Sequence, residues 1–291
     1  MKMKSKTLWF FMVAALMMGC KGKQQQEVPV NDTAALAPCA VFSGMDDCEV
    51  IAIPDCINSM SIDLFKGSYD DSLLAALMPE GSSPSAINVF LVRASGYYTD
   101  GKDYNILIDA GLGSDAGGTL LQQLQGLGVK PQEIDAVCLT HLHVDHIGGL
   151  LKEGQPVFPK AEIYLSVEEF NAWSDDGPMA AQNAQWKEVL SHYANQIRLF
   201  NDGDKIIDGR IVAHLEPGHT PGHTVYECGS CLFVGDLLHA QDLQLAYPDF
   251  SARYDFDAAQ AAATRKRVLE RVRKEGRYLC GAHCYDAFIG F

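Results

Sequence analysis

The stretch His141-Leu142-His143-Val144-Asp145-His146-Ile147-Gly148-Gly149 constrains this chain more than any other. Four side chains able to bind a metal ion fall within six positions, directly after an apolar, β-branched segment. Packing gives no reason for such a cluster, because ionisable groups crowded at the end of a buried strand cost free energy unless they are paired or coordinate a cation. Imidazole nitrogens and carboxylate oxygens together suit zinc, and also iron, manganese or cobalt. The spacing lets His141 and His143 converge on one ion while Asp145 and His146 point to a neighbour. Three more candidates stand at equivalent places: His219 beyond the strand ending near Leu215, Asp236 beyond Val234, and His283 beyond Cys280. Loops at one edge of a layered fold can gather residues that all follow strand ends.

The remaining pattern is that of an α/β protein. Residues 85–93 and 104–109 are apolar-rich and β-branched, and a connection containing Asp100-Gly101 predicts that they form a hairpin. Leu120, Leu121, Leu124 and Leu127 recur at helical spacing up to Gly128, with Pro131 beyond. Residues 134–140 and 161–165 predict buried strands. Ser166 followed by Glu169 looks like a capping box opening a short helix, and Asp257 with Gln260 does the same for a long helix ending before Gly276. Residues 206–215 turn at Asp208-Gly209, residues 225–234 turn at Gly229-Ser230, and residues 278–280 form a last short strand. No internal repeat is visible. Hairpins interleaved with strand–helix units predict two sheets covered by helices.

The run from Thr140 to Gly149 resembles the signature of the metallo-β-lactamase superfamily. Pro217-Gly218-His219-Thr220-Pro221-Gly222-His223, Val234-Gly235-Asp236 and Gly281-Ala282-His283 resemble its later motifs, in the same order. The resemblance covers roughly residues 46–291. It implies a four-layer αββα sandwich, with His141, His143 and His219 on one metal, Asp145, His146 and His283 on the other, and Asp236 bridging. It also implies two divalent ions, most simply Zn2+, and support for the ligands from Asp109 behind them, although Asp109 reads equally as a plain strand-end turn former. Within the superfamily the chain looks most like methyl parathion hydrolase and the N-acyl homoserine lactonases, through residues 131–149, Phe158-Pro159 and residues 247–291. The second-metal set lacks the cysteine of a typical true β-lactamase subclass, and His143 replaces the acid of the diiron oxygen-reducing branch.

The chain opens with Lys2, Lys4 and Lys6, an apolar run from Leu8 to Met18, and Gly19-Cys20. That is the layout of a secretory signal, too short for a membrane span, and its end resembles a lipobox. Three segments are therefore expected: a lipoprotein signal over 1–20 with its lipid on Cys20, a polar tether over 21–45, and a hydrolase domain over 46–291. The protein is expected to be exported and membrane-anchored, facing the periplasm or cell surface. Loss of the three leader lysines takes the net charge from −14 to −17, which disfavours nucleic acid as a partner. The expected partners are a small-molecule substrate, a membrane reached through Cys20, and a second copy in a homodimer. An exported protein meets an oxidising compartment, and Cys228-Gly-Ser-Cys231 would sit at a hairpin where either a bridge or a metal site is open.

Other histidines read more plainly. His223 is expected to support His219, His239 to hydrogen bond near the site or serve the structure, and His214 and His192 to be ordinary. Trp173, Met179, Trp186 and Tyr193 could wall an apolar cleft or sit in the core, and Phe158, Phe250 and Phe288 are as ambiguous. Two cations a few ångströms apart would make a bridging hydroxide available near neutral pH, with Asp145 or Asp236 relaying the proton. The expected activity is hydrolysis of a lactone, ester or phosphotriester. Rival readings are a β-lactam hydrolase, a thioester hydrolase resembling glyoxalase II, a ribonuclease Z-like nuclease, and a non-catalytic metal-binding lipoprotein. Export and charge weigh against the thioester hydrolase and the nuclease, and the complete ligand set weighs against silence.

Overall fold

In β3 (Ser82–Ala94), alternate side chains enter two different cores. Val89 and Leu91 join one buried cluster, and Phe90 and Val92 join another. The neighbouring β2 (Cys48–Ser61) repeats this, with Ile51 and Ile53 on one face and Val50 and Ala52 on the other. A strand buried on both faces reads as a continuous apolar run, and this explains the composition of the segment. The computed structural model describes residues 36–45, 48–66, 70–95 and 101–291. The expected signal segment with Cys20, the tether up to residue 35, and Asp100 of the expected turn lie outside the described residues.

The first sheet runs in the order β1 (Ala40–Met45), β2, β3, β4 (Tyr104–Ile108), β5 (Ala136–Cys138), β8 (Glu162–Ser166), β9 (Ile197–Phe200). It is antiparallel through β4 and parallel from there on. A small hairpin, β6 (Leu151–Lys152) and β7 (Gln155–Pro156), stands apart. The second sheet is β10 (Lys205–Ile206), β11 (Ile211–Leu215), β12 (Thr224–Cys228), β13 (Cys231–Phe233) and β14 (Tyr278–Cys280), with β14 parallel to β13. Phe90, Ile106 and Ile108 of the first sheet meet Tyr226, Phe233 and Cys280 of the second in one buried cluster.

The outer face of the first sheet is covered by α2 (Leu120–Gly126) and α5 (Ala184–Tyr193), through Leu120, Leu124, Trp186, Val189 and Tyr193. That of the second is covered by α7 (Ala258–Glu275), through Val268, Leu269 and Val272. Helix, sheet, sheet and helix make the expected αββα sandwich. Shorter helices complete it: α1 (Asp71–Leu77), α3 (Val144–Ile147), α4 (Val167–Ala172) and α6 (Gln241–Ala246). No helix among the described residues is long and apolar enough to cross a membrane.

The sequence reading had no strand before residue 85 and started the domain at residue 46. In the structure β1 already pairs with β2, Ala40 opposite Ala52, so the fold begins earlier. Pro54 and Asp55 hid β2, because a proline and an acid argue against a central strand. Here the register shifts between Pro54 and Cys56, and buried Asp55 accepts hydrogen bonds from Leu112 N (2.8 Å) and Leu120 N (2.6 Å). The bulge turns an apparent breaker into an anchor for the turn after β4.

Candidate metal centre

Each candidate ligand leaves the end of a strand and is held there by its backbone. Past β5, Thr140 donates from N (2.8 Å) and Oγ1 (2.9 Å) to Asp109. Asp109 sits in the left-handed region at φ 62°, a strained conformation for a non-glycine residue. His143 then caps α3, which carries Asp145 and His146 inward. Past β13, Gly235 has φ 48°, and a Cβ there would fall 2.6 Å from His223 Nε2, so only glycine lets the chain turn Asp236 into the site. Past β14, Asn88 of β3 donates to the carbonyls of Gly281 (3.1 Å) and Cys284 (2.7 Å), fixing the loop that bears His283.

Among the described residues four overlapping groups of ligand atoms result: His141, His143, His219 and Asp236 form the first and Asp145, His146 and His283 the second, while His239 joins Asp236 and His283 in one more and His219 and Asp255 in another. Asp236 reaches both of the first two. Its Oδ1 lies 3.0 Å from His146 Nε2, and its Oδ2 lies 3.2 Å from both His219 Nε2 and His283 Nε2. His143 Nδ1 lies 2.9 Å from His219 Nε2, and His283 Nε2 lies 3.5 Å from Asp145 Oδ2. Ligands about 2.1 Å from a shared tetrahedral ion would stand roughly 3.4 Å apart, which is the spacing found here.

The far ring nitrogens of four of the five ligand histidines are occupied. His141 Nδ1 meets Thr140 Oγ1 (3.0 Å), His146 Nδ1 meets Asp109 Oδ2 (2.8 Å), His219 Nδ1 meets Asp255 Oδ1 (2.9 Å), and His283 Nδ1 donates to Ala86 O (3.0 Å). Those partners orient each Nε2 toward the centre, as metal-bound imidazoles require. The inward His141 Nε2, His146 Nε2 and Asp236 Oδ1 are buried and have no hydrogen-bond partner. Buried polar atoms left without partners fit a bound cation. The residues present therefore fit a pair of divalent ions.

The charges agree with this. Burial pushes His141 well below its usual range, with His146 beside it adding to the effect. Burial and His219 push His143 down to about 3. Burial alone would lower His146 too, but Asp236, Asp109 and Asp145 outweigh it and hold its pKa well up. Burial would raise Asp236, yet His283, His146, His219 and His141 hold it well below the carboxylate range. The carboxylates thus favour positive charge at His146 and His283, as a site for divalent cations requires. The centre floors a cavity of about 770 Å³ walled by Met60, Leu64, Ile87, Leu112 and Trp173, with Arg253 and Tyr254 among its lining residues.

The sequence profile described as Metallo-beta-lactamase superfamily matches residues 83–283, well over half of the chain. The chain belongs to the metallo-β-lactamase superfamily. Among curated relatives, the hydroxyacylglutathione hydrolase of Aeromonas salmonicida (strain A449) is 33% identical over 143 residues, 47% of this chain and 43% of that protein. That of Buchnera aphidicola subsp. Acyrthosiphon pisum (strain APS) is 30% identical over 133 residues, 46% and 42% respectively. The chain thus spans less than half the length of these relatives. The crystal structure of AbOPH, a hydrolase in the beta lactamase superfamily, matches with a TM-score of 0.76 at 27% identity, over 88% of this chain and 94% of its own. AidC, a dizinc quorum-quenching lactonase solved with N-hexnoyl-L-homoserine, matches in fold with a TM-score of 0.73 at 23% identity, over 88% and 97%.

Set against this metallo-β-lactamase centre, all seven candidate ligands come together, and Asp109 reaches the site through Thr140 and His146. His223 differs from expectation. It does not hold His219; its Nδ1 donates to Glu216 O (3.1 Å) and its Nε2 accepts from Asp236 N (3.2 Å), so it fixes the Asp236 turn instead. His219 is held by Asp255, which no motif marked. His239 lies inside the centre, Nε2 3.2 Å from Asp236 Oδ2, with both ring nitrogens lacking hydrogen-bond partners. Trp173 lines the cavity, but Met179, Trp186, Tyr193 and Phe158 are core, Phe250 packs with α1 and α6, and Phe288 packs between the sheets. Cys228 and Cys231 are cross-strand partners, yet Cys228 Sγ approaches Cys48 Sγ, at 3.2 Å. No metal-competent group among the described residues contains a cysteine.

Proposed function

We propose that this chain is an exported hydrolase that holds two zinc ions and cleaves a lactone, ester or phosphotriester. The observation that carries the reading is Asp236, whose carboxylate touches both ligand groups, Oδ2 facing His219 and His283 and Oδ1 facing His146, at the floor of an apolar-walled cavity. Two bound divalent cations would supply Lewis acidity and an activated water near neutral pH. The protein does the rest. Asp145 is more exposed than Asp236, at 25% against 5% of its side chain, and is placed to take a proton from the attacking water and return it to the leaving oxygen. Met60, Leu64, Ile87 and Trp173 exclude bulk water and receive the apolar part of the substrate. Likeness to AbOPH, a hydrolase in the beta lactamase superfamily, over almost its whole length supports hydrolysis as the reaction. Likeness to the hydroxyacylglutathione hydrolases favours a second reading, a thioester hydrolase.

Elemental analysis of the purified chain, beside assays on a lactone, an aryl phosphotriester, a thioester and a β-lactam, tests both readings. Close to two zinc ions per chain and turnover of the lactone or phosphotriester supports the first. Preference for the thioester selects the second, and a chain that neither binds zinc nor hydrolyses any of them sinks the hydrolase reading. Export and lipid attachment rest on residues 1–20, with Cys20 as the acylated residue. Cys20→Ala should move the protein from the membrane to the soluble fraction; an unchanged distribution rejects the anchor.

A further inference from the structure

Glu169 is a wholly buried carboxylate that neither ligand group uses. Ser166 and Glu169 have capping-box spacing, and Ser166 Oγ accepts from Glu169 N at 3.1 Å. The Glu169 side chain does not complete the box. Its Oε1 accepts from Leu142 N (3.1 Å) and Trp173 Nε1 (2.6 Å), and its Oε2 accepts from Thr220 Oγ1 (2.7 Å) and Gly222 N (2.9 Å). Leu142 stands between His141 and His143, and Thr220 follows His219. Trp173 meets the His143 ring edge-on, with centroids 5.4 Å apart. A Cβ on Gly222 would fall 2.1 Å from Glu169 N, so the two backbones touch.

All three histidines of the first group are therefore tied, through their backbones or a packed ring, to one carboxylate. None of its four hydrogen bonds goes to Asp145, His146 or His283. We infer that Glu169 is a positioning residue for the first group alone, a clasp that holds the His141–His143 loop and the His219 loop at the separation one metal ion needs. This rests on the two-metal reading above. An ionised carboxylate is acceptor-only and satisfies all four donors. Glutamine cannot, because its single acceptor oxygen serves one pair of donors and its NH2 is left facing the other pair. Glu169→Gln should therefore loosen the first group even though its size is unchanged.

The test is zinc retention by the full chain against a graded chelator, with near-UV circular dichroism to check the fold. Wild type should hold two zinc ions, and Glu169→Gln should lose one of them at roughly 10–100-fold lower chelator, the scale expected when an orienting partner is removed. His283→Ala, which damages the second group, should keep one ion, and the Glu169→Gln/His283→Ala double variant should keep none at the chelator concentration where Glu169→Gln has lost one. A purely structural glutamate would weaken both ions together. Should Glu169→Gln fail to fold, Thr220→Val, which removes one donor and keeps the shape, should lower retention of the same ion severalfold. Wild-type retention of both ions by folded Glu169→Gln, retention of one ion by the double variant at that chelator concentration, or wild-type retention by Thr220→Val overturns the inference. A wild-type chain that binds no zinc overturns the metal reading itself, and the inference with it.

Discussion

Asp236 faces four imidazoles within 3.2 Å, Oδ1 toward His146 and Oδ2 toward His219, His239 and His283, so its carboxylate touches both ligand groups. Asp236→Ala should therefore lose both metal ions and all turnover while keeping the native circular dichroism spectrum; normal metal content would reject its bridging place. Asp255 acts one bond further out, on His219 Nδ1. Asp255→Asn should cost roughly 10–100-fold in metal affinity, read by chelator competition. His223 gives a pH signature. Its Nε2 accepts from Asp236 N, so it must stay neutral, and burial with His219 nearby pushes its pKa down to about 3. An unfolded histidine takes its proton near pH 6.5. Its contribution is thus complete above about pH 6.5 and is lost as pH falls toward 3. Between pH 7 and 5 the metal-free chain should lose about 2 kcal/mol from this residue, and His223→Asn should flatten that slope in denaturant titrations. His146 and His283 act in the opposite sense, since their raised pKa values give stability that is lost as pH rises through them. Comparing wild type with His223→Asn isolates the one residue.

At the scale of elements, the start of α7 is coupled to the His219 loop. Phe256 N and Asp257 N donate to the carbonyls of His219 (3.0 Å) and Gly218 (2.9 Å), while Asp257 caps the helix by accepting from Gln260 N (2.9 Å). Asp257→Ala removes only the side-chain cap, at a cost of about 1 kcal/mol. A domain of this size should then melt roughly 2–4 °C lower, with metal content unchanged. Loss of metal in that variant would show that the cap, and not the backbone bonds, holds the loop. The two capping motifs make a useful pair. In each, the cap residue accepts from the backbone three positions on but the second half of the box is not made: Asp257 N goes to Gly218 O, and the Glu169 side chain turns to Trp173 and to donors 27, 51 and 53 residues away that are buried with it.

For the molecule as a whole, metal ions bound at this centre would be structural as well as chemical. The ligands come from loops after β5, β11, β13 and β14, so bound cations cross-link both sheets at one edge. A ligand at about a thousand times its dissociation constant adds about 4 kcal/mol to the native state. Chelation should lower the melting temperature by roughly 10 °C and abolish turnover, and added zinc should restore both. An unchanged melting temperature would place the metals outside the fold's stability. The expected affinity also falls as pH drops, because protons compete for His146 and His283.

The seven candidate ligands and the strand ends that carry them are legible in the sequence, because a metal-binding cluster needs its donors at set spacings and strands and helices announce themselves by period. Two sheets covered by helices follow from the same pattern, and the αββα order from the family resemblance. The bulged β2, hidden by Pro54 and Asp55, needed its partners β1 and β3 to be seen. Which outer residue holds which candidate ligand became visible only with the sheets in place. Asp255 reaches His219 across 36 positions, His223 turns to Asp236 and not to its neighbour in the motif, His239 stacks on His283, and Glu169 clasps two loops. A lone acid or histidine has no period, and its partner is chosen by which unsatisfied donor is buried beside it once the sheets have closed.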